Sequence, residues 1–136
     1  MRSRDYSPNH IGNDAAIFNA TAEQLRKRGF VVNVYSEEKF KSCDIEEDVV
    51  LNMCRDAASI AKLQKLEDAG KLVLNSGYGI ENCTRERMAR ILLGSGIPYP
   101  ESIIVNTDES VKDMLTRVGM NNCWVKCGGH SQHKED

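Results

Sequence analysis

The sequence has 136 residues, enough for one domain with its own core and too few for two complete ones. Hydrophobic residues make up 40% and charged residues 28%, which excludes a disordered chain, and no apolar run is long enough to span a bilayer. A formal net charge of -2 without a basic stripe, together with 6% aromatics, gives no reason to expect nucleic acid or a membrane surface as a partner. The five cysteines are odd in number, contain no C-x-x-C pair and follow no secretory leader pattern. Reduced thiols in a soluble, cytoplasmic protein are the expectation.

In chain order, "NDAAIFNATAEQLRKRG" predicts a helix capped at Asn13, with Ala15, Phe18, Ala22 and Leu25 on one face and a stop at Gly29. "FVVNVYS" then reads as a strand, "EEKFKSCDI" as a weakly periodic stretch with room for a short helix, and "EEDVVLN" as a second strand. "RDAASIAKLQKLEDAG" predicts a helix capped by Asp56 and ended by Gly70, with Ala57, Ile60, Ala61 and Leu63 inward. "KLVLNSG" is a short apolar strand. "NCTRERMARILLGSG" is a further helix, with Met88, Ile91 and Leu92 inward and Gly94 or Gly96 at its end. This alternation requires crossover connections and therefore predicts an α/β fold, a doubly wound, mainly parallel Rossmann-like sheet over residues 1–97. Pro98 and Pro100 oppose helix and mark a boundary. Residues 98–136 then hold a strand "SIIV", a helix with Val111, Met114 and Leu115 inward, and a strand "CWVKC", the start of a second, truncated subdomain.

Both ends read as unfinished. A doubly wound domain has its first strand near the centre of the sheet, yet "MRSRDYSPNHIG" enters the first helix directly from a polar loop. The first strand is expected to be missing, and the chain to be part of a longer one.

Three constellations could carry chemistry. Cys123, Cys127, His130 and His133 are zinc-ligand types at short spacing. Two cysteines four apart on one strand lie about 13 Å from each other, too far for thiolates that each need to sit about 2.3 Å from one ion, so zinc is not expected to organise this tail. Lys126 followed by Gly128 and Gly129 offers a point charge and backbone N–H groups for a phosphate, although a solvated lysine before a turn has the same letters, and the Walker A spacing is absent. "SRDYSPNHIGND" places Arg4, Ser7, Asn9 and His10 ahead of a helix N-terminus that favours anions, while Ser-Pro-Asn is equally ordinary turn chemistry. Asn52 and the pair Asn75 and Ser76 end the later strands. If those strands are parallel, these residues converge on the same edge as the first loop.

The middle of the chain, "NSGYGIENCTRERMARILLGSGIPYPESIIV" followed by "CWVK", resembles the amino-terminal third of the ATP-grasp ligases, the group containing glutathione synthetases, D-alanine-D-alanine ligases and ribosomal-protein glutamate ligases. The match rests on Asn75, Leu92 and Leu93, and Gly96, Ile97, Pro98 and Pro100. The resemblance implies a pre-ATP-grasp domain followed by the beginning of a nucleotide-binding subdomain. It implies that Lys126 contacts ATP and that the loop containing Gly128 and Gly129 covers the phosphates. Thr84 and Arg85 stand where the family usually has Asp-Lys, which assigns Arg85 to the nucleotide as well. Such enzymes join a carboxylate to an amine or thiol through an acyl phosphate, using ATP and magnesium. The family's metal ligands lie far downstream of this chain, so it carries no catalytic residues of its own, holds no cofactor tightly and is expected to be inactive alone. A homodimer is compatible with the reading.

Two other readings differ in class. A self-contained Rossmann-like module could bind a small ligand or mediate assembly. A response-regulator receiver would need an aspartate where Asn52 stands and an acidic pair after its first strand.

Overall fold

The computed structural model describes residues 11–106, 108–119 and 122–126. The chain divides after Asn82 into two compact units. The first begins with α1 (Ile11–Lys27), which carries Asp14 in its first turn and Arg26 and Lys27 in its last, charges that complement the helix dipole. Its exit turns through Gly29 at φ 90°, while Gly29 N–H and Phe30 N–H donate back to Arg26 and Leu25 carbonyls, satisfying the end of the helix. The expected cap at Asn13 is corrected: the helix is already formed at Ile11, and Asn13 lies within it.

A short helix, α2 (Glu37–Ser42), follows, capped by Ser36 Oγ accepting from Lys39 N–H at 3.2 Å. Its far end is closed by Lys62, whose Nζ donates to the carbonyls of Phe40 and Cys43 and lies 4.9 Å from the centre of the Phe40 ring. Then come β1 (Val49–Leu51), α3 (Ala57–Asp68), β2 (Leu72–Leu74) and α4 (Gly77–Asn82). Asp56 caps α3 by accepting from Ala58 and Ser59 N–H at 3.0 and 3.3 Å, and Gly70 at φ 86° turns the chain out of it. The β1–α3–β2 path is a crossover, and the two strands are parallel, with Val49, Val50 and Leu51 opposite Leu72, Val73 and Leu74.

The core lies on one face of this pair. Phe40, Ile45, Cys54, Leu63 and Val73 are buried together, with Tyr35, Val50, Leu66 and Ile80 packed against them. Leu63 of α3 is fully excluded from solvent. Period-two alternation places Val50 and Val73 inward, while Val49, Leu51, Leu72 and Leu74 remain 39–56% exposed on the other face.

The second unit holds α5 (Arg85–Ser95) and α6 (Val111–Val118), each ended by a left-handed glycine, Gly96 at φ 71° and Gly119 at φ 68°. Met114 is buried and Leu115 half-buried on α6, but Val111 is exposed. On α5 the expected inward face is also largely open: Met88 and Ile91 are exposed, and only Leu92 is half-buried. α4 is an unexpected helix, separated from α5 by Thr84 in an extended conformation.

The fold is α/β, as expected, with a two-stranded parallel sheet among the described residues. Three expected strands are corrected. Residues 30–36, 102–105 and 123–126 carry no strand, because a strand exists only by pairing and none of these segments has a partner strand among the described residues. The second predicted strand shortens from seven residues to Val49–Leu51 for the same reason. Among the described residues no helix is long and apolar enough to cross a membrane.

Among the described glycines, Gly77 is the most closely packed, where α4 meets α3. A Cβ at Gly77 would lie 3.0 Å from both Gln64 N and Leu63 Cβ, atoms fixed by the α3 backbone. Gly77→Ala is expected to destabilise the protein by about 1–3 kcal/mol in urea unfolding. Gly94→Ala, with nothing within 4 Å of its added methyl, should be neutral or stabilising by up to about 1 kcal/mol.

Candidate functional site

The carboxyl ends of parallel strands collect their following loops on one edge, and here those loops are 52–56 and 75–76. Asn52 and Asn75 are brought together there, as their positions after two parallel strands predict. Asn52 N–H donates to the Leu74 carbonyl at 3.3 Å, extending the strand ladder by one residue. Its buried side chain donates through Nδ2 to the carbonyls of Leu74 and Asn75, at 3.0 and 2.6 Å, and accepts the Cys54 N–H through Oδ1 at 3.1 Å. Asn75 returns the contact, its Nδ2 donating to the Asn52 carbonyl at 2.7 Å. Asn75 sits at φ 63°, a left-handed conformation that asparagine tolerates better than most residues. Each side chain thus binds the other strand's backbone. Asn52 serves as a clamp that shapes the edge, whereas Asn75, exposed, stands at its surface.

Two acidic side chains hold the loops from behind. Glu37, only 2% exposed, accepts the N–H groups of Arg55 and Asp56 through Oε1, both at 3.2 Å, and so fixes the loop after β1. Glu67 of α3 accepts the Gly77 N–H at 2.7 Å and the Ser76 hydroxyl at 3.1 Å, fixing the loop after β2. Ser76, predicted as a substrate contact, also accepts the Gly79 N–H at 3.3 Å through its hydroxyl. Neither glutamate was identifiable from sequence, since a carboxylate on a short amphipathic helix normally faces water. Arg55 was also passed over; it places an exposed cationic residue in the same loop, and the only signal would have been its position three residues after Asn52.

Cys54 lies beneath this edge. Burial pushes its thiol up to about 11, with the neighbouring Glu37 charge acting in the same direction. Such a thiol is a packing group at neutral pH, not a nucleophile. At the other end of β1, Glu47 accepts from Asn33 Nδ2 at 2.7 Å and from the Tyr35 hydroxyl at 2.8 Å. The Asn33 contact, followed by Glu47's own backbone and Tyr35, holds its carboxyl below the ordinary carboxylate range. A lowered folded-state pKa stabilises the fold above the unfolded value, and that contribution is lost as pH falls through the folded value.

The residues that the resemblance leads one to expect on the nucleotide side and that the structure describes, Arg85 and Lys126, belong to the second unit. Arg85 opens α5 and is half-buried, and Lys126 is exposed. Arg4, Ser7, Asn9 and His10, the glycines Gly128 and Gly129, and the zinc-type residues Cys127, His130 and His133 lie outside the described residues. Among the described residues no group of three or more His, Cys, Asp or Glu side chains is placed to hold a metal. No protein-family model matches the chain, and neither a curated protein nor a solved structure matches it.

Two measurements check this geometry. Asn52→Ala should cost about 2 kcal/mol in urea unfolding by leaving the buried Cys54 N–H and the part-buried Asn75 carbonyl without their partner, while Asn75→Gly, which keeps the left-handed turn and loses one bond, should cost about 1 kcal/mol. At pH 8, iodoacetamide should modify exposed Cys83 and Cys123 well before Cys54.

Proposed function

We propose that the chain is the amino-terminal part of an ATP-dependent ligase of the ATP-grasp type, joining a carboxylate to an amine or thiol. In this reading residues 1–97 form the pre-ATP-grasp, doubly wound domain, residues 98–136 begin the nucleotide-binding subdomain, and the protein works in the cytoplasm. The unit that ends at Asn82 falls within the first of these. The observation that carries the reading is the edge itself: a parallel pair whose strands both end in asparagine, with their loops clamped side by side where open α/β sheets bind ligands. The Gly96-Ile97-Pro98 run and the later lysine, Lys126, follow it in the order the family resemblance requires.

The substrate side is then assigned to the exposed surface of this edge, Asn75 and Ser76, shaped by Asn52 and joined by Arg4, Ser7, Asn9 and His10. Arg55 adds a cation suited to a carboxylate. Lys126, Arg85 and the backbone at Gly128 and Gly129 are assigned to the nucleotide phosphates. In the reaction a substrate carboxylate oxygen attacks the γ-phosphorus of ATP, the bond to the β-phosphate oxygen breaks, and ADP leaves. The amine or thiol then attacks the acyl carbon and expels inorganic phosphate. Magnesium, held by acidic residues outside this sequence, neutralises the phosphates when bound.

A nucleotide site built between two subdomains loses much of its burial when one is incomplete. Calorimetry should therefore find weak magnesium-ATP binding by the 136-residue chain and tight binding once it is joined to a downstream ATP-grasp region. In the joined protein Lys126→Ala should weaken binding by about 1.5–3 kcal/mol, about ten- to a hundredfold. Tight binding by the 136 residues, or unchanged affinity in the joined Lys126→Ala variant, would contradict the assignment.

A further inference from the structure

We draw no further inference here: the strongest candidate, the apolar cleft between α1, the segment 32–35 and β1, is the place that the doubly wound reading gives to its absent first strand, and nothing in the structure shows what else covers it.

Discussion

The reciprocal clamp between Asn52 and Asn75 is the interaction on which the rest of the first unit depends. A parallel pair of three-residue strands is too short to hold itself, since each strand contributes only a few ladder bonds. The clamp extends the pairing past the last ladder residue, adds a second donor to the Leu74 carbonyl and satisfies the carbonyls of Asn75 and Asn52 at a part-buried edge. It also fixes the direction in which both following loops leave the sheet. Those loops must leave side by side for the edge to act as one site.

The two carboxylates behind the loops extend the same logic. Glu37 reaches from α2 to the first loop, and Glu67 reaches from α3 to the second. Lys62 ties the end of α2 back to α3, so the support for both loops runs through one helix. Leu63, fully buried on that helix, anchors it against Phe40 and Val73. Gly77 lets α4 approach it closely. The polar network and the apolar core therefore share a scaffold, and a change in α3 reaches the candidate site through both.

Much of this was legible in the sequence, for local reasons. Asp56 and Gly70 bound α3 as their chemistry predicts, and the parallel arrangement of "VVL" and "LVL" follows from the helix between them. The convergence of Asn52 and Asn75 follows from the same rule. Strand extent was not legible, because "FVVNVYS" and "SIIV" have apolar, mostly β-branched side chains but strand formation is decided by a pairing neighbour outside the segment itself. Asn13 looked like a cap because its type suits one, yet the helix was already under way. The mutual use of the two asparagine amides was equally hidden. A strand-ending asparagine has the same letter whether it faces a ligand or clamps a backbone, and Glu37 and Glu67 resemble any solvated helix carboxylate until the fold turns them inward.

The central claim is that the clamp and its two glutamates make the strand-end loops a preorganised edge. Hydrogen exchange of the native protein, resolved by NMR, addresses it most directly. The Asn52 side-chain amide protons and the N–H groups of Arg55, Asp56 and Gly77 should exchange far more slowly than exposed loop amides, since each is bonded within the clamp or to a glutamate. Exchange of the Asn52 side-chain amide at the rate of a free asparagine, together with unprotected Arg55 and Gly77, would contradict the account.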